Sequence, residues 1–271
     1  MNYLKTVLLT LICLTCAKLI SAQKFYIGIS SGYAIGIANQ RGDLANSYID
    51  YYADTYQFKN VPYSFGKGWN IGGTVGYSLN KNIAIETHTS YHQSANVYQE
   101  EVTLTNLYGI RDTHTEGKTI MSKFFRVIPS LVLQVKNEKI NPYMKIGAVI
   151  GFGSIHTEAT SSFVSSVQVL ELIYTKVVKG GIAFGGKGTL GVDYMISSKW
   201  SLYSEFYFMT LSYAPEYGDL EASDGTKMNY NYDDSFSESE KFILLFDLPE
   251  TLKRSYNFNS CGLDLGVKFS F

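Results

Sequence analysis

The chain is poor in cysteine, proline, tryptophan and charge. Its 271 residues include 3 Cys, 5 Pro and 2 Trp, and charged residues make up 17%. Cys13 and Cys16 lie in an N-terminal apolar stretch, which leaves Cys261. A lone thiol closes no internal disulfide, and a disulfide framework needs about four cysteines. The formal net charge of -1 excludes a nucleic-acid binder run by bulk charge, so no nucleic-acid partner is expected. After residue 22 the apolar runs are short, such as residues 148–150 or 242–246. A membrane-spanning helix needs about 20 consecutive apolar residues, so helical insertion is excluded as well. What is abundant is tyrosine (22), glycine (24) and hydrophobic residues (45%). A disordered chain would be charged and aromatic-poor.

Residues 1–22 read as a cleaved secretory signal. Lys5 supplies the positive n-region, residues 6–16 an apolar h-region too short to span a membrane, and Ser21-Ala22 small residues before Gln23. A lipoprotein anchor on Cys13 or Cys16 is discounted because neither follows a Leu-small-small pattern. Cleavage leaves 249 residues, 23–271, as one domain. It also removes Lys5 and Lys18, so 23 basic residues become 21 against 24 acids, a net charge of -3.

The remaining chain alternates with period two in eight stretches, and period two means strand. Their apolar faces are led by Phe25, Ile27 and Ile29; Trp69, Ile71 and Val75; Ile83, Ile85 and Tyr91; Phe125, Leu131 and Leu133; Met144, Ile146 and Phe152; Phe184, Leu190 and Tyr194; Trp200, Leu202 and Phe206; and Leu263, Leu265 and Phe269. The opposite faces carry Gly, Ser, Thr and single charges. Short polar turns at Asn80-Lys81-Asn82, residues 136–139 and Ser197-Ser198-Lys199 alternate with long connections that begin near Ile37, Gln93, Ser154 and Leu211. Strict alternation of short and long puts all short turns on one rim of an up-and-down barrel.

Two exported eight-stranded barrels fit this pattern. A soluble lipocalin-like barrel is apolar inside, and Phe65-Gly66-Lys67-Gly68-Trp69 resembles its Gly-x-Trp corner. A transmembrane barrel is apolar outside and polar inside. The glycine-rich polar faces favour the second, because small residues and paired charges fill a narrow lumen. Aromatics near the ends of the apolar faces, Trp69, Tyr77, Tyr91, Tyr194, Trp200 and Phe269, match interfacial girdles. Glycine is thus assigned to the lumen, and tyrosine to girdles and outward loops.

The ending Gly262-Leu263-Asp264-Leu265-Gly266-Val267-Lys268-Phe269-Ser270-Phe271 carries the resemblance further. It looks like the C-terminal assembly signal of outer-membrane barrels, with Phe269 and the terminal Phe271 as the residues that signal implies. With the eight alternating stretches, residues 23–271 resemble the small OmpA/OmpX/OmpW-like outer-membrane β-barrel domain family. The resemblance implies an all-β, eight-stranded antiparallel barrel in the cell outer membrane with four long extracellular loops. It also implies lipid or lipopolysaccharide around the barrel, a barrel assembly machinery as partner, a monomer and no cofactor.

Polar faces turned inward place four acids (Glu86, Asp193, Glu205, Asp264) against four bases (Arg126, Lys145, Lys187, Lys268) in the lumen. Their charges cancel, which suits a structural network in a barrel just wide enough to be filled by side chains. A narrow conducting path lined by the same groups is the alternative. The connection after Leu211 holds ten acids against four bases up to Asn257, with interleaved tyrosines that suit binding of an extracellular ligand. It lacks calcium-loop spacing. The apolar patches at residues 167–178 and 242–246 read as strand extensions, a small helix or a lid.

Because some small barrels modify lipid A, Glu86, His88 and Ser90 were weighed as a catalytic set, but about 7 Å separates successive members on a strand face. His88 and His92 stand about 14 Å apart, too far for one metal. No catalytic, metal or cofactor residue is assigned. The reading is a structural or binding surface protein, with a narrow channel second, a lipid A enzyme third and an accessory barrel of an export machine also open. N-terminal sequencing of the mature protein is expected to begin at Gln23; an intact Met1 would overturn the leader.

Overall fold

In the computed structural model the described residues are 25–37, 45–51, 53–61, 63–107, 110–165, 169–231 and 255–271. The expected leader lies outside them, as does the patch at residues 242–246. The described residues form strands and no helix. In chain order the strands are β1 (Phe25–Gly36), β2 (Ala45–Asp50), β3 (Thr55–Asn60), β4 (Gly68–Ser78), β5 (Ile83–Ser94), β6 (Val97–Leu107), β7 (Ile110–Gln134) and β8 (Ile140–Val164). They continue with β9 (Val169–Lys179), β10 (Ala183–Met195), β11 (Trp200–Tyr213), β12 (Tyr217–Ala222), β13 (Lys227–Asn231), β14 (Tyr256–Asn257) and β15 (Ser260–Ser270).

The eight alternating stretches pair into a closed, antiparallel ring. Its order is β1, β4, β5, β7, β8, β10, β11 and β15. The ring closes where β15 pairs with β1, from Tyr26↔Ser270 to Gly36↔Ser260. The short turns and the C-terminus gather at one rim, where the Phe271 amide donates to the Phe25 carbonyl at 3.0 Å. Side-chain acceptors shape these turns: Asn80 Oδ1 takes the amides of Asn82 and Ile83, and Ser197 Oγ those of Lys199 and Trp200. The apolar faces point out of the ring, with Ile146 70% exposed, and the polar faces point in. The apolar-inside, lipocalin-like alternative is therefore excluded: Trp69 faces outward, 5.8 Å from Tyr91.

Inward glycines have a specific partner. Tyr26 lies directly across from Gly76, Tyr143 from Gly191, Tyr207 from Gly262 and Tyr203 from Gly266. In each pair a Cβ on the glycine would overlap the tyrosine ring. The missing side chain is what lets a large ring lie flat against the inner wall. This corrects the expected sorting of tyrosine: Tyr26, Tyr143, Tyr203 and Tyr207 are buried in the lumen.

The long connections are not plain loops. β7 and β8 have 25 residues each and run on past the ring as a pair. β6 pairs with the outer half of β7, and β9 with the outer half of β8. β2 then adds to β6 in parallel and β3 to β2, while β12 adds to β9 and β13 to β12. The result is a one-sided ledge of strands above the rim opposite the short turns. Unpaired backbone groups along extended β7 and β8 need partners, and Thr- and Val-rich neighbours such as β6 supply them. The patch expected at 167–178 is a strand extension over its described part, within β9.

Gly191→Val is expected to destabilise the protein by about 1–3 kcal/mol through the Tyr143 clash. Gly188→Val points into open space, with nothing within 4 Å of its Cβ, and is expected to change stability by less than about 0.5 kcal/mol. Equilibrium urea unfolding of the protein refolded in lipid checks this; equal midpoints for the two variants would refute it.

Candidate functional site

All eight charges expected in the lumen are inside the ring. Near the short-turn rim, Lys145 on β8 donates to Glu86 on β5 at 2.5 Å and to Glu205 on β11 at 2.6 Å. A tyrosine hydroxyl adds to each carboxylate, on the second oxygen of Glu86 and on the lysine-bound oxygen of Glu205. Tyr26 Oη donates to Glu86 at 2.9 Å and Tyr143 Oη to Glu205 at 2.8 Å. Beside them, Lys268 Nζ donates to both oxygens of Asp193 at 2.9 Å. The rings of Tyr26, Tyr143 and Tyr203 surround the same ammonium at 5.0, 5.0 and 5.1 Å. This layer ties together β1, β5, β8, β10, β11 and β15, six of the eight ring strands.

Farther in, Lys187 on β10 meets Asp264 on β15 at 3.3 Å and lies 4.0 Å over the Tyr207 ring. Asn70 Nδ2 donates to Tyr207 Oη at 3.2 Å. Arg126 differs from the other bases. It is 3% exposed, forms no salt bridge among the described residues, and reaches Met209 Sδ at 3.5 Å. The four-against-four balance of the sequence is therefore not four pairs. Three lysines hold four carboxylates, and Arg126 stands apart.

The ledge-side mouth of the ring is closed by an apolar stopper that the sequence did not reveal. Phe65, from the segment before β4, and Phe258, before β15, meet at 5.5 Å. Phe124 packs on Phe258 at 4.5 Å and on Tyr213 at 4.8 Å. Hydrogen bonds hold the stopper in place: His92 Nε2 donates to the Phe65 carbonyl at 3.0 Å, and Ser64 Oγ to the Asn259 carbonyl at 3.0 Å. The segment that resembled a lipocalin corner is thus a plug. A signal was present in the aromatics Tyr63 and Phe65 before a Gly-Lys-Gly break, but nothing local says that they turn inward.

The weighed catalytic set does not assemble. Glu86 is held by Lys145 and Tyr26, His88 Nδ1 bonds Thr74 Oγ1 at 2.9 Å, and Ser90 Oγ has no hydrogen-bond partner. Among the described residues no group of His, Cys, Asp or Glu could hold a metal ion. Of the acids after Leu211, Asp219 pairs with Lys179 at 2.5 Å and Glu221 with Lys227 at 2.7 Å. Most of the others lie outside the described residues. At the C-terminus, Phe269 packs on Trp200 at 4.8 Å and on Phe271 at 5.1 Å, and Phe271 is exposed.

Lys145→Met is expected to cost about 3–5 kcal/mol, because it leaves Glu86 and Glu205 buried without a counter-charge. Adding Glu86→Gln and Glu205→Gln is expected to restore a large part of that loss. Urea midpoints of the single and triple variants in lipid measure both effects, and a harmless single variant would remove the network as a source of stability.

No curated protein matches this sequence. Solved structures similar to the chain include Neisserial surface protein A, at 12% identity over 91% of this chain and 97% of that one, with a TM-score of 0.37. Others are the N-terminal β-barrel domain of Pseudomonas aeruginosa OprF (10% identity, 92% and 98% covered, TM-score 0.32) and Ail of Yersinia pestis (14%, 92% and 99%, 0.29). Residues 6–269 match the family described as the outer membrane protein beta-barrel domain. The chain belongs to that family, and it is a protein of the cell outer membrane.

Proposed function

We propose that the protein is a monomeric, eight-stranded transmembrane barrel with a sealed lumen, and that it serves the cell as a structural and binding surface protein. In this reading the short turns face the periplasm and the ledge stands outside the cell. Residues 1–22 are a cleaved leader, and Phe269 and Phe271 present the assembly signal to the barrel assembly machinery. The observation that carries the reading is the burial of the lumen charges. Glu86 is 4%, Arg126 3% and Asp264 2% exposed. Groups lining a water-filled path keep surface open to water, and these do not. The stopper of Phe65, Phe124, Tyr213 and Phe258 adds a second barrier on the same axis.

A sealed lumen speaks against the narrow channel. The engaged Glu86 and His88 speak against a lipid A enzyme. The surface that remains is the ledge, where Tyr48, Tyr56, Tyr98 and Tyr217 are exposed. Rigid aromatic side chains on a paired sheet suit recognition of an extracellular ligand at low entropic cost.

The test is conductance across planar bilayers. Reconstituted wild-type protein is expected to give no steady openings. Steady openings whose size changes in Lys187→Ala would overturn the sealed barrel and favour the channel.

A further inference from the structure

Arg126 is a fixed charge in a place that excludes water. It is 3% exposed, and Phe124, the inward residue before it on β7, belongs to the stopper. Its side chain crosses the lumen from β7 to β11, where Nη1 donates to Met209 Sδ at 3.5 Å. A thioether is a weak acceptor and carries no charge. Met209 stands directly across the ladder from Lys187 on one side and from Ser260 on the other. Lys187 Nζ lies 4.0 Å over the ring of Tyr207, the neighbouring inward residue of β11. Both cationic heads are therefore placed against the same stretch of β11, Tyr207 to Met209.

Unused donors gather around that stretch. Ser90 is directly across from Arg126, a pairing that puts Cβ atoms about 5 Å apart. Ser90 and Ser260 are buried, and among the described residues neither Oγ has a hydrogen-bond partner, nor does Arg126 Nε. The charge count agrees. Arg126 and Lys187 face one acid, Asp264, whose Oδ2 accepts from Lys187 Nζ at 3.3 Å. Glu86, Glu205 and Asp193 are held nearer the short-turn rim by Lys145, Lys268 and tyrosines. One positive charge is left over in a filled space under an apolar roof. Burying it is costly unless an opposite charge meets it.

We propose that Arg126 anchors one small monovalent anion of the halide class beneath the stopper, with Lys187 and the hydroxyls of Ser90 and Ser260 around it. A single negative charge balances this layer, and sulfate or phosphate would overshoot it. A polyatomic ion also needs room that Phe124, Tyr207 and Met209 occupy. A halide is spherical, so it accepts from a guanidinium and from hydroxyls in any direction. Asp264 is the acid facing the site. Its Oδ1 is unpartnered as well, so a water linking it to Arg126 Nε is the competing occupant. The inference rests on the filled lumen of the reading above and not on which way the ledge points. It goes beyond that reading, because it names an ion that the barrel takes up as its core closes.

Urea unfolding in lipid tests it, with sodium chloride exchanged for sodium gluconate at constant ionic strength. Each tenfold rise in chloride above half-saturation is expected to lower the unfolding constant of the wild type about tenfold. Arg126→Met is expected to abolish that dependence, Arg126→Lys to keep part of it, and Lys81→Gln, an exposed change at the short-turn rim, to keep all of it. Equal stability of the wild type in chloride and gluconate overturns the site, as does equal chloride dependence in wild type and Arg126→Met. Crystals of the wild type grown in bromide provide a test that needs no variant to fold. An anomalous peak in contact with Arg126 supports the anion, and a water there without anomalous signal overturns it. Conductance separates the two readings. Steady openings with bromide still at Arg126 support the site and overturn only the sealing, whereas a silent barrel without bromide overturns only the site.

Discussion

The constraint on which the rest depends is closure of the backbone hydrogen-bond ladder. In hydrocarbon an unpaired amide or carbonyl costs several kcal/mol, so a sheet in a bilayer must have no edge. The ring meets this at the seam, where eleven residue pairs of β1 and β15 join the two ends of the chain. Once eight strands close, the interior is narrow, and its volume limits which side chains fit there. The Tyr-over-Gly pairs follow from that limit. Four large rings fit only because the residue directly across each has no side chain. Closure also explains why the described residues, whose cysteine Cys261 is free, need no disulfide: the ladder and the lipid do what crosslinks do in small secreted proteins.

A filled, water-poor lumen makes every charge a liability unless it is paired and its remaining hydrogen-bonding capacity is met. The short-turn layer meets this closely. Each of Glu86 and Glu205 takes a lysine and a tyrosine hydroxyl, and Lys268 has Asp193 and three aromatic faces. The ledge-side layer does so less completely, since Arg126 Nε and Asp264 Oδ1 lack hydrogen-bond partners. Acids outnumber bases in the first layer and bases outnumber acids in the second. The lumen is therefore neutral as a whole but polarised along its axis, which the balance of residue types alone does not disclose.

The ring strands, their faces and the eight lumen charges were legible in the sequence because they depend on a local property. A residue's neighbours two positions away show whether it faces lipid or lumen, and Ile27, Ile29 and Glu86 obey that rule. Who pairs with whom is not local. Lys145 lies between Glu86 and Glu205 because of ring order and shear, and nothing near residue 145 encodes either. Tyr26 and Tyr203 stood on the polar faces, but an aromatic near a strand end also fits a girdle, and only the glycine across the ladder tells the two apart. β6 was missed for a different reason, whereas a strand was one of three readings offered for the patch that holds β9. Above the membrane both faces meet water or protein, so the apolar stripe fades and strands such as Val97–Leu107 read as polar loop. Phe65 was missed because an aromatic in an irregular segment has no periodicity to orient it.

The two ends of the lumen are packed with different material, and each suits its rim of the ring. At the short-turn rim the strands are tied by tight turns, so inward positions are held in register and directional ion pairs can be satisfied. At the other rim the wall is uneven, since β7 and β8 continue while β1 and β4 stop near Gly36 and Gly68. Charge pairs there would face a boundary that water can reach. Aromatic packing is non-directional and tolerates such an uneven edge, and the stopper draws on residues from outside the ring strands, Phe65 and Phe258, to fill it. His92 joins the two systems. Its ring is buried on the inner wall of β5, and its Nε2 holds the carbonyl of Phe65, so the stopper is fixed to the ladder that closes the ring.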